Sequence, residues 1–161
     1  MIWFKLDSLA LLVAAAMWLL GGRDAMAQDA AEPASLQWFS PPLLPPGARI
    51  AVVSGDPTRP GKSTLQVSMP NGYRFPVHSH PSYEHVEVRE GTLLVGVGDR
   101  LDPMKTQALV AGDSATAPAG IHHFSVAKGR TVLSVTFMGP YTITYIRAED
   151  APRPQNFPFG Y

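Results

Sequence analysis

The five histidines of this chain fall in two short clusters, His78-Ser79-His80 with His85, and His122-His123. Residues two apart on a strand share a face. His78 and His80 can therefore present imidazoles to one interior point while Ser79 points away. Glu84 follows the Pro81-Ser82-Tyr83 bend, which re-aims the chain so that a carboxylate returns to that point. His123 follows Pro118-Ala119-Gly120, a turn that allows sharp entry into another strand, and is placed to supply a fourth ligand from a distant segment. By alternation His85 and His122 face the other way and stay outside the set. Three imidazoles and one carboxylate suit one divalent transition metal ion, Mn, Fe, Co, Ni, Cu or Zn. They leave up to two positions of an octahedral shell for water or substrate. The plain rival is a set of hydrogen-bonded core histidines, against which stand four candidate ligands at metal-compatible spacing.

Tyr73, Arg74 and Tyr83 flank these residues and are candidates to orient a carboxylate or phenol substrate, with loop packing as the alternative. Cysteine is absent, which removes thiolate ligands, cysteine nucleophiles and any disulfide framework. Gly55-Asp-Pro-Thr-Arg-Pro-Gly61-Lys62-Ser63 is not a phosphate loop, because it has one residue too many between the glycines and its prolines lack amide donors. No Gly-x-Ser-x-Gly elbow occurs. With 13 basic and 13 acidic residues there is no basic field for a phosphate backbone, so nucleic acid is not an expected partner.

The elements that must position the ligands are short strands. A chain of 161 residues has room for one domain, and its 14 glycines and 16 prolines break helices and favour an all-β sandwich or barrel. Strands are expected over Arg49 to Ser54, Thr64 to Met69, Glu84 to Arg89, Thr92 to Val97, Thr106 to Val110 and Ser114 to Ala117. Others are expected over His123 to Ala127, Thr131 to Met138 and Thr142 to Arg147, with a tight turn at Lys128-Gly129-Arg130. Lys5, the apolar run Leu9 to Leu20 and the small-residue site Ala25-Met26-Ala27 read as a signal peptide, the run being shorter than the ~20 residues a bilayer needs. The expected organisation is a signal peptide over 1–27, an arm over 28–48, a barrel over 49–147 and a tail over 148–161. Export by a Sec-type route puts the chain in the periplasm or outside the cell, with no stable membrane anchor after cleavage.

Gly72-Tyr-Arg-Phe-Pro-Val-His78-Ser-His80-Pro-Ser-Tyr-Glu84-His-Val-Glu-Val-Arg-Glu-Gly91 resembles the first motif of the cupin superfamily, G-x5-H-x-H-x3-E-x6-G, at every fixed position. Gly112-Asp-Ser-Ala-Thr-Ala-Pro118-Ala-Gly120-Ile-His-His123 resembles the second, G-x5-P-x-G-x2-H-x3-N, with Ala127 in place of its final, non-ligating Asn. The resemblance covers Leu36 to Arg147 and extends to small exported cupins. It implies a double-stranded β-helix, or jelly-roll, barrel with a metal at its mouth held by His78, His80, Glu84 and His123. It also implies a homodimer paired through edge strands, for which the arm from Leu36 to Pro46 is a candidate.

Two functions fit such a site. One is a metal-dependent enzyme, of dioxygenase, decarboxylase or isomerase type, acting on a small organic substrate, aromatic or carboxylate. The other is a non-catalytic module that binds or senses a small molecule. The scarcity of acid–base groups among the expected interior residues favours chemistry centred on the metal.

Overall fold

The structure is a computed structural model that describes residues 35–152. The expected signal peptide and the aromatic tail beyond residue 152 lie outside the described residues. Eight antiparallel strands follow one another: β1 (Arg49–Ser54), β2 (Gly61–Met69), β3 (Arg74–Ser79), β4 (Glu84–Val97), β5 (Gln107–Val110), β6 (Ser114–Ala117), β7 (His123–Gly139) and β8 (Thr144–Tyr145). Two short 3-10 turns, Pro103–Lys105 and Ala148–Asp150, are the described helical pieces, and no described helix is long and apolar enough to cross a membrane.

The long strands β4 and β7 pair with each other along most of their length and organise the barrel. The first half of β4 and the second half of β7 form one face with β1, β2 and β6, in the order β1-β2-β7-β4-β6. Their other halves form the opposite face with β3, β5 and β8, in the order β8-β3-β7-β4-β5. This is the two-faced antiparallel jelly roll expected from the motifs. The two segments of β4, expected as separate strands, are one strand, and Lys128-Gly129-Arg130 lies inside continuous β7 and is not a hairpin turn. The physical reason is a bend in both strands at one corner. The pairing slips by one residue before Glu90 and by two after it, and Gly91 and Gly129 both take φ of +78° there. Glycine and local bulges are how a sheet turns a corner without losing its ladder.

Alternation fills the space between the faces. Thr131, Leu133, Val135 and Phe137 of β7 point inward with Leu65 and Met69 of β2 and Val88 and Leu93 of β4, and all are buried. Removing each large apolar side chain from water contributes about 1.5–3 kcal/mol. The arm closes one end of this interior. Phe39 exchanges two backbone hydrogen bonds of 2.9 Å with Ile50, Leu44 is buried, and the Tyr73 and Tyr145 hydroxyls donate to the carbonyls of Pro45 and Leu43 at 2.9 and 2.7 Å. The arm thus lies along the edge strand β1 of its own chain.

Candidate metal centre

His78 reaches the interior through an irregularity in β3. Phe75 pairs with Ser125 and His78 with His123, so three residues of β3 span two of β7, a one-residue bulge at Pro76-Val77. Pro76 has no N–H to give to the ladder, which makes a bulge the natural place for it. The Phe75 ring stacks on the His78 imidazole with centroids 3.7 Å apart. His80 stands just past the end of β3, Glu84 opens β4, and His123 opens β7.

All three imidazoles are locked in the same way. Nδ1 of His78 lies 2.6 Å from the Pro76 carbonyl, Nδ1 of His80 lies 2.7 Å from the Thr142 carbonyl, and Nδ1 of His123 lies 2.9 Å from the Ile121 carbonyl. A carbonyl can only accept, so each Nδ1 holds the proton and each Nε2 keeps its lone pair. The three Nε2 atoms are buried and have no hydrogen-bond partner among the described residues. They converge on Glu84, whose Oε1 is 3.4 Å from Nε2 of His80 and whose Oε2 is 3.4 Å from Nε2 of His123. The four ligand atoms lie within 4.8 Å of one another. Orphaned lone pairs in a protein interior are costly unless something occupies them. Imidazoles oriented through Nδ1 by backbone carbonyls around a carboxylate fit a divalent cation.

The electrostatics follow from the same geometry. Burial, then the neighbouring His123, pushes His78 down to about 3, so it is neutral near pH 7. For Glu84, burial acts upward but is outweighed by the adjacent His123, His80 and His78, which hold the carboxyl at about 2. His123 moves upward, because Glu84 and the Ile121 carbonyl overcome the effect of burial. A permanent carboxylate among buried nitrogens makes this a cation-attracting point.

Tyr141, which follows β7, is the site residue that the sequence did not disclose. Its hydroxyl donates to Oε1 of Glu84 at 3.0 Å, and its ring lies against His80, centroids 5.1 Å apart, and against Phe137. Burial and then the Glu84 charge raise its phenol well above the ordinary value. A tyrosine 57 residues from Glu84 carries no local signal of this contact. Of the flanking candidates, Tyr73 is buried under the arm, Arg74 is exposed, and Tyr83 is 37% exposed at the bend before Glu84. None of the three lines the cavity beside the ligands, whereas Tyr141 does. His85 and His122 sit outside the cluster. Their Nδ1 atoms meet Thr116 Oγ1 at 2.8 Å and Asp99 Oδ1 at 2.6 Å.

A cavity of about 90 Å³ runs from His78, Glu84 and His123 into the barrel and under Leu43 and Leu44 of the arm. Among the described residues its walls are aliphatic and aromatic apart from the candidate ligands, Ser125 and the Tyr141 hydroxyl.

Residues 64–139 match the family model described as the Cupin domain. The germin-like protein subfamily 2 member 1 of Arabidopsis thaliana is 37% identical over 121 residues, 67% of this chain and 55% of that protein. The chain thus spans about half the length of that curated relative. An RmlC-like cupin from Shewanella frigidimarina NCIMB 400 superposes with a TM-score of 0.52 at 19% identity, over 75% of this chain and 87% of the other. An oxalate oxidase superposes with a TM-score of 0.50 at 24% identity, over 71% and 65% of the two chains, a likeness of fold. With both motifs, the jelly-roll topology and the matched domain in agreement, this chain belongs to the cupin superfamily.

Proposed function

We propose that this protein is a metal-dependent enzyme, exported from the cytoplasm, that acts on a small organic substrate at a centre of three histidines and one glutamate. The observation that carries the reading is the shared orientation of the imidazoles. His78, His80 and His123 each commit Nδ1 to a backbone carbonyl and leave a buried, unpartnered Nε2 facing Glu84. Such a centre, when loaded, supplies Lewis-acid polarisation of a substrate oxygen or activation of water or O2.

The chain's own residues have separate tasks in this reading. Phe75 holds the His78 ring in place, and the Tyr141 hydroxyl holds one oxygen of Glu84. Leu43 and Leu44 of the arm exclude bulk water from the apolar chamber that receives the substrate. The 1–27 segment serves as the export signal and is removed. Oxidation, decarboxylation and isomerisation all fit the donor set.

A second reading, a binding or sensing module without turnover, is favoured by one feature: the Tyr141 proton is already engaged by Glu84, so the cavity has few groups free to move protons. Elemental analysis of protein recovered from its own extracytoplasmic compartment, followed by aerobic incubation of the metal-loaded chain with catechols, keto acids and oxalate, separates the two. Turnover of any of these supports the enzyme; stoichiometric metal with no turnover of any moves the assignment to the module. Absence of any divalent ion after reconstitution would sink both.

A further inference from the structure

We infer that the metal centre takes ligands with one polar headgroup on an uncharged apolar body and discriminates against those carrying a second charge. This rests on the proposed metal reading and adds to it a rule of selection. The chamber behind the ligands is walled by Leu65, Met69, Leu93, Leu133 and Val135 and roofed by Leu44. Among the described residues, no lysine, arginine, asparagine or glutamine lines it. Among them, the polar side-chain groups other than the candidate ligands are two hydroxyls. That of Tyr141 donates to Glu84, which leaves Ser125 on β7 as the hydroxyl free to face a ligand.

A hydroxyl can accept or donate one hydrogen bond but cannot neutralise a carboxylate. A ligand whose headgroup sits at the ion therefore buries its far end among carbon atoms. A methyl group there gains from leaving water, whereas a carboxylate there loses its hydration with nothing in exchange. The size agrees with a small body: about 90 Å³ is room for about three water-sized groups at ~30 Å³ each.

Butanoate and succinate form the test pair, since they share the carboxylate headgroup and chain length and differ in ending as a methyl or as a second carboxylate. Manganese(II) uptake by the full chain is measured first by calorimetry. Each acid is then titrated at pH 7 into the manganese-loaded protein, with water-proton relaxation reporting displacement of solvent from the ion. The expected result is butanoate binding at least ~30-fold more tightly than succinate, a factor set by the unpaired second charge. Succinate binding equally or more tightly would overturn the inference, and so would metal uptake with no binding of butanoate; both leave the metal reading standing. Failure to take up manganese, zinc or copper would instead remove the metal reading and this inference with it.

Discussion

The Tyr141 hydroxyl donates a 3.0 Å hydrogen bond to Oε1 of Glu84 while its ring packs against His80, so one side chain from the end of β7 braces two members of the candidate centre. Groups that orient ligands typically alter metal affinity 10–100-fold when removed. Tyr141→Phe keeps the ring and deletes the hydrogen bond. It is expected to weaken divalent-ion binding about 10-fold or more in chelator competition, with the barrel still folded by circular dichroism. An affinity equal to that of the parent protein would show that Tyr141 only fills space.

The candidate ligands come from the C-terminal end of β3, from β4 and from β7, so a bound ion would tie these strands together. Binding to the folded state alone raises stability, by about 4 kcal/mol at a free-ion level 1,000 times Kd. Adding a chelator should therefore lower the melting temperature by several degrees, and His78→Ala combined with His123→Ala should abolish both the bound ion and the chelator effect. Stoichiometric metal in that double variant would refute the assignment.

Acid should destabilise the metal-free protein in a defined window. The folded state holds His78 at about 3 against an ordinary 6.5, so below pH 6.5 the unfolded chain takes up that proton first. Stability is then lost as pH falls from 6.5 toward 3, by up to about 1.4 kcal/mol per pH unit for one proton. Glu84, held at about 2 against 4.5, adds a loss of the same sign lower down. His123 is raised and acts oppositely: its contribution is full below its ordinary value and fades as pH rises through the folded value. Denaturant melts of the apo-protein from pH 3 to 8 should show this profile, and His78→Asn should flatten the 3–6.5 portion. An unchanged slope in that variant would place the acid sensitivity elsewhere.

Gly91 and Gly129 share a φ of +78° at the corner where β4 and β7 change faces, but their surroundings differ. A Cβ on Gly91 would run into the Arg130 carbonyl oxygen and Thr131, whereas one on Gly129 would meet open space. Gly129→Ala should cost about 1–2 kcal/mol from backbone strain alone. Gly91→Ala should cost clearly more, by about 1–3 kcal/mol, because backbone must move. Equal losses in chemical denaturation would contradict this account of the corner.

The candidate donors and the fold class were legible because both depend on local pattern. His78-Ser79-His80 with Glu84, and His123 after a Pro-Ala-Gly turn, need no knowledge of the barrel to be recognised as donors. Strand boundaries such as Arg49–Ser54 and Ser114–Ala117 follow from the turn residues around them. The corner at Gly91 and Gly129 was not legible, since a glycine between two apolar runs reads equally as a hairpin and as a bend in one long strand.

What the residues alone determined, then, is which side chains can hold a cation and that short antiparallel strands must carry them, because donor chemistry and strand alternation are properties of a few neighbouring positions. Only the tertiary structure decided which way those donors face. The bulge at Pro76 sets the phase of His78, and carbonyls of Pro76, Thr142 and Ile121 select the imidazole tautomers. Tyr141 reaches Glu84 across 57 residues of chain, and Leu44 of the arm roofs the chamber. Each of these contacts joins backbone or side-chain atoms whose proximity arises from barrel closure, so no window of sequence contains it.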